Sequence, residues 1–169
     1  MDDKAAMSPV KGLLILLAVI VVLAGYIAAV AALHLSEAWA GFLFLLYWSM
    51  VEQARVDRLA KSIIGAFVGA GTAAMMALLP PLMGAGPGMA LFLAVVLLLV
   101  YAIIMGWAPI AVNMATMIFL TVGTVPHVQA NADFLQIFYG IAAGIVYFGG
   151  LALIAGALSK KKAATPAEA

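Results

Sequence analysis

WAGFLFLLYWSMVEQARVDRLAK, residues Trp39 to Lys61, is the stretch on which the fold turns. Its first part, Trp39 to Val51, is apolar, yet as a helix rising 1.5 Å per residue it would cover only about 20 Å. The hydrocarbon core of a bilayer is roughly 30 Å thick. Extending the segment back to Leu35 lengthens it to about 26 Å and puts Glu37 in its first turn. The second part carries Arg55, Arg58 and Lys61. Lysine and arginine near the ends of membrane helices stay on the cytoplasmic side. Whether Trp39 to Val51 crosses is therefore a question that the cations answer.

Outward from this stretch lie four longer apolar segments: Leu13 to Leu33, Ile63 to Met83, Met89 to Trp107 and Phe134 to Leu158. A further short one, Ala108 to Val125, would cover about 27 Å. The remaining cations are Lys4, Lys11, Lys160, Lys161 and Lys162. With six crossings and the N-terminus inside, all 8 lysines and arginines fall on one face. The loops on the other face, 34–38, 84–88 and 126–133, hold none. If neither short segment crossed, Arg55, Arg58 and Lys61 would move to the wrong side. The expectation is an all-α membrane protein with six transmembrane helices, the second and fifth of them short.

Composition agrees. The 169 residues are 67% hydrophobic and 9% charged, with a mean hydropathy of +1.22. Soluble domains are nearer half apolar and a quarter charged, and a water-soluble fold of this length could not cover so much apolar surface. The net charge of +1 supplies no basic field for nucleic acid. The absence of cysteine excludes disulfides, thiolate metal sites and cysteine nucleophiles. The first apolar run is too long for a signal-peptide core, which is about 7–15 residues, and reads as a retained helix. The layout is a cytoplasmic N-terminal segment (1–12), a transmembrane domain (13–159) and a polar tail (160–169) expected to be disordered.

Local chemistry suggests the boundaries. Pro80 and Pro81 lack N–H groups and should disrupt the third segment near its end. Gly84, Gly86, Pro87 and Gly88 should form a short turn. Pro109 suits the first turn of the fifth helix, and Gly106 suggests a tight link that makes the fourth and fifth helices neighbours. Within Glu52 to Lys61, Glu52 with Arg55 and Asp57 with Lys61 have the spacing of helical ion pairs.

A shift of 75 residues aligns the two halves, about 13–84 and 88–159. Tyr26 meets Tyr101, Phe44 meets Phe119, Leu45 meets Leu120, Gly65 meets Gly140, and Gly69 meets Gly144. Each half reads long helix, short helix, glycine-rich long helix. An odd number of spans per half would invert the second, an arrangement that recurs in transporters, with sites where short or broken helices meet. The Gly-x-x-x-Gly pairs Gly65/Gly69 and Gly140/Gly144 permit close helix approach, which matters in lipid because burying apolar surface there gains little.

Polar and aromatic side chains gather on the short segments. Trp39, Tyr47, Trp48, Asn113, Thr116, Thr121 and Thr124 are candidates to line a path. Asn113, Thr116 and Thr124, with Leu120, would share a helix face. The same residues could instead tie helices together by hydrogen bonds. Trp39 and Trp107 are equally suited to anchoring at the membrane surface. Glu37, Glu52, Arg55, His127 and Asp133 are candidate mouth residues. His34 and Glu37 are too few to specify a metal, and no cofactor motif is present. No paired acids, nucleophile–histidine arrangement or phosphate loop suggests an enzyme. The span centres carry no ionisable side chain, unlike ion pumps that use buried carboxylates.

The run Leu35-Ser36-Glu37-Ala38-Trp39-Ala40-Gly41-Phe42, then Pro109, Phe119 and Thr121, the polar loop ending in Asp133 and the Gly-x-x-x-Gly last helix resemble the bacterial family catalogued as domain of unknown function 1097. The resemblance implies a small bacterial inner-membrane protein of about this size and supplies no substrate, while the placement of the cations puts both termini on the cytoplasmic side. The strongly charged second loop departs from that family's pattern. The reading as a whole is of a channel or facilitative transporter for a small solute, partnered by lipid and by further copies of itself. The alternatives are the substrate-binding membrane subunit of a vitamin importer, for which Ala28 and Ala32 would form a docking face, and a non-transporting scaffold.

Overall fold

In the computed structural model, residues 8–131 and 133–164 are described; for 159–164 the description is of the backbone alone. The described elements are all helices. They fall into two units, Met1–Leu35 and Ser36–Ala169.

The first unit is one helix, α1 (Pro9–Ala32). It begins where Ser8 accepts the Lys11 N–H at 3.3 Å, with Pro9 at the first helical position, where a missing N–H costs nothing. It ends through His34, whose φ of 53° is left-handed, and Leu35 then donates back to the Val30 carbonyl at 3.1 Å. That is the usual device for satisfying the last carbonyls of a helix. At 24 residues it is about 36 Å long.

The second unit comprises α2 (Trp39–Met50), α3 (Leu59–Met83), α4 (Ala85–Ile104), α5 (Met114–Gly123), α6 (Pro126–Asn131), α7 (Phe134–Gly144), one π-turn (Ile145–Gly149) and α8 (Gly150–Ala164). A 3-10 turn, Val56–Arg58, leads into α3. The central element is α3, which packs against α4 and α5 and, less extensively, α2 and α7; α2 in turn lies along α7. Its buried face is built from small residues, among them Ser62, Gly65, Ala66, Gly69, Ala70 and Ala73. Large apolar side chains lie outside instead: Leu97 is 69% exposed, Ile104 74% and Val146 75%. Water would not tolerate this distribution, and lipid favours it, because small residues let backbones approach while the apolar exterior faces hydrocarbon. Four helices, Pro9–Ala32, Val56–Met83, Ala85–Ile104 and Phe134–Leu158, are long and apolar enough to cross a membrane. They mark the chain as a membrane protein.

Several boundaries differ from the sequence expectation. Pro80 and Pro81 do not end α3, which runs through both to Met83. The helix closes at Gly84, whose φ of 92° only glycine adopts freely and whose N–H reaches the Pro80 carbonyl at 2.9 Å. Gly84 alone forms the turn, and Gly86, Pro87 and Gly88 belong to the start of α4. Gly88 is needed there because a Cβ would stand 2.6 Å from the Pro80 nitrogen. The fifth helix begins at Met114, not at Ala108, so Pro109 lies in the preceding loop. The link at Gly106 is not a tight turn either: it runs from Met105 to Asn113, and α4 and α5 pack chiefly on α3. The backbone is helical through 160–164, where a disordered tail was expected. The rest of that tail, 165–169, and residues 1–7 of the N-terminal segment lie outside the described residues.

Candidate functional site

Hydrogen-bonding side chains collect at the two ends of α2. At its C-terminal end, Tyr47 and Trp48 are both only 2% exposed. The Tyr47 hydroxyl donates to Glu52 Oε1 at 2.8 Å, and Lys61 Nζ reaches the same oxygen at 3.5 Å. The Trp48 indole N–H donates to the Arg55 carbonyl at 3.0 Å. That bond draws the loop back under the helix, and Gln53 and Ala54 take left-handed φ values of 54° and 53° to allow it. The expected helical pairs Glu52–Arg55 and Asp57–Lys61 are therefore replaced. Glu52 pairs with Lys61, and Arg55 pairs with Asp57 at 2.7 Å. The Arg55 hydrogen bond holds the Asp57 carboxyl below its usual range, and Asp57 raises Arg55 in return. Any stability from this pair is present above the usual carboxylate pKa and fades as pH falls through the lowered value. Both groups are exposed, so salt screens the pair.

Beside this cluster, Asn113 is buried at the start of α5, at 7% exposure. Its Oδ1 accepts the Ala115 N–H at 2.9 Å, while Nδ2 donates to the Ile110 carbonyl at 3.0 Å and across to Lys61 of α3 at 3.2 Å. Thr116 accepts the Asn113 N–H at 3.1 Å and donates to the Ala111 carbonyl at 2.7 Å. The pair forms a capping box. Asn113 is thus an extended cap residue and not a member of a helix face with Thr116. Thr124 donates to the Thr121 carbonyl at 3.0 Å, and Thr121 is exposed. These four residues do not form a continuous polar track.

The glycines seat the neighbouring helices. A Cβ on Gly65 would collide with the Asn113 amide, and one on Gly69 with the Thr116 carbonyl and Phe119. A Cβ on Gly140 would collide with the Glu37 carbonyl, and one on Gly144 would stand 2.5 Å from Gly41 Cα. Between these contacts, Phe44, Trp48, Ala66, Phe119, Ile137 and Ile141 belong to one buried apolar cluster.

At the N-terminal end of α2, Glu37, Trp39, His127, Val128 and Asn131 line a cleft of about 330 Å3. The Trp39 indole N–H donates to Glu37 Oε2. Asn131 Nδ2 donates to the His127 carbonyl at 3.0 Å and lies 3.4 Å from His127 Nδ1. Asp133 is elsewhere in role: it caps α7, accepting the Leu135 N–H at 2.8 Å. Gln129, not singled out from the sequence for any role, donates to the Ala73 carbonyl at 3.0 Å and the Gly123 carbonyl at 2.6 Å, tying the end of α5 to α3. In the sequence it is marked only by its position in the loop 126–133. A cleft of about 240 Å3 lies between the end of α4 and the start of α5, beside Trp107 and Asn113. An apolar groove of about 510 Å3 runs along α2 from Trp39 to Met50. None of these three threads between α2 and α5. Among the described residues no group of three or more His, Asp or Glu side chains could hold a metal ion.

No protein family, curated protein or solved structure matches the chain.

Proposed function

We propose that this chain crosses the membrane six times as two inverted three-helix halves, and that it is a facilitator for a small solute. One observation carries the architecture. Gly69 of α3 seats on Thr116 of α5. Shifting each residue by 75, the one forward and the other back, gives Gly144 and Gly41, which also seat on one another. The same exchange turns the Gly65–Asn113 contact into Gly140 and Ala38, and Gly140 lies against the carbonyl of Glu37, one residue away. Phe44 exchanges with Phe119, and Ala66 with Ile141, inside one buried cluster. Each half thus lends its short helix to the long helix of the other, as inverted repeats do.

The six crossings follow from α2 and α5 passing through despite their lengths of about 18 and 15 Å; Arg55, Arg58 and Lys61 then share the cytoplasmic face with both termini. A bacterial inner membrane, suggested by the resemblance to the family of unknown function, suits this arrangement. Association into a homo-oligomer would enlarge so small a body. No charge lies at the span centres, which favours a neutral or weakly charged solute over a pumped ion. Passage would require the α2–α7 pair to rock against α3 and α5, because Phe44, Trp48 and Phe119 fill the space between them in this conformation.

That filled core favours a second reading, a membrane subunit that transports nothing. Proteoliposomes containing only this protein separate the two. The facilitator reading expects water, urea or glycerol to equilibrate at least tenfold faster than in protein-free vesicles, measured by stopped-flow light scattering. Equal rates for all three would leave the non-transporting subunit.

A further inference from the structure

We infer that the cleft between the start of α2 and α6 binds a small cation carrying N–H donors, of the primary-ammonium class. The inference goes beyond the facilitator reading, on which it rests only for the cleft being the outer mouth; the binding itself does not require transport.

The cleft offers a carboxylate, an indole, an imidazole and a carboxamide, from Glu37, Trp39, His127 and Asn131. Glu37 is fixed in place twice. Its carbonyl lies against Gly140 and accepts the Ala40 N–H at 3.2 Å, and one carboxylate oxygen accepts the Trp39 indole N–H. A group held before the ligand arrives loses little freedom on binding. The second oxygen, Oε1, makes no hydrogen bond or ion pair among the described residues. The Asn131 amide spends its N–H groups on His127, which leaves Oδ1 to accept. The cleft therefore presents acceptors backed by a negative charge.

No lysine or arginine lines the cleft. Within Ser36–Leu158 the cations are Arg55, Arg58 and Lys61, all beyond the other end of α2. The 12 residues of α2 alone separate them from Glu37 by about 18 Å, more than two screening lengths of about 8 Å at physiological salt. An anion would meet the Glu37 carboxylate with no lysine or arginine in the lining to offset it. A metal ion would find too few ligands. An ammonium group could give N–H bonds to Glu37 Oε1 and Asn131 Oδ1 and set its charge beside the Trp39 ring, a contact that favours cations. A space of about 330 Å3 has room for an ammonium group together with its substituent.

The test is equilibrium binding of radiolabelled methylammonium to the full-length protein in detergent, at constant ionic strength. Saturable binding is expected. Glu37→Gln keeps the shape and the acceptor for the Trp39 indole while removing the charge, and should weaken binding at least tenfold with an unchanged melting temperature. Tetramethylammonium, which has no N–H, should compete at least fivefold less well than methylammonium. No saturable binding, full affinity in Glu37→Gln, or equal competition by tetramethylammonium would each overturn the assignment. Binding as described, without solute flux in the vesicle assay, would remove the facilitator reading and leave the cleft. Flux without methylammonium binding would do the reverse.

Discussion

Asn113 is the residue whose chemistry is most fully used. It accepts at the start of α5 and donates to the Lys61 carbonyl of α3, so replacement separates two duties. Asn113→Ala should cost about 1–2 kcal/mol for the lost cap, read as a fall in melting temperature. Asn113→Asp can still cap, yet it has no N–H for the carbonyls of Lys61 and Ile110 and would bring a buried charge, so it should destabilise at least as much as alanine. A milder effect for aspartate would show that the α3 contact carries little. Gln53 and Ala54 make the opposite case. Left-handed φ costs an ordinary residue roughly 1–2 kcal/mol, against about 0.5–1 kcal/mol of added unfolded-state freedom for glycine. Gln53→Gly and Ala54→Gly should each raise stability by about 0.5–1 kcal/mol, visible as a higher melting temperature. At this scale the sequence was half legible. Asn113 three residues before Thr116 is a recognisable capping pattern, obscured by Pro109, which suits a helix start equally well. Gln53 and Ala54 carry no local signal, because the Trp48 bond to the Arg55 carbonyl imposes their conformation.

Helices as elements were read more reliably than their ends. The four long apolar runs became helices because length and hydropathy determine them, and the Gly-x-x-x-Gly pairs became packing seams because nothing larger fits. Gly69→Ala should cost about 1–3 kcal/mol, the usual penalty for overpacking, since the added carbon meets the Thr116 carbonyl and stands 2.9 Å from Phe119 Cβ. Gly71 has open space around it, so Gly71→Ala should be neutral or gain up to about 1 kcal/mol from helix propensity. Comparing their thermal unfolding in one detergent tests the seam directly, and equal effects would refute it. The ends escaped sequence reasoning where tertiary contact overrode local preference. Pro80 and Pro81 are carried within α3, at the turn against which Gly88 packs α4. The candidate cleft is partly visible in the sequence: Glu37 and His127 are mouth candidates and Trp39 a path candidate, but 90 residues separate Glu37 from His127. Only the fold brings them together.

For the molecule as a whole, the number of crossings is the property most open to direct test. The chain has no cysteine, so one introduced thiol is the sole target for a membrane-impermeant reagent. If α2 and α5 cross, Arg58→Cys and Asn131→Cys should be labelled from opposite faces of sealed vesicles. If neither crosses, both should be labelled from the same face. The π-turn at Ile145–Gly149 bears on the two halves in another way. A π-turn accommodates one residue more than an α-turn, and each residue of an α-helix advances it by about 100°. Deleting a single amino acid there would let the turn close to an ordinary α-turn and keep the compass bearing of the helix beyond it. The same deletion within α3 would swing the rest of that helix by about 100°, so Ile145–Gly149 is the place where losing one residue would disturb the bundle least.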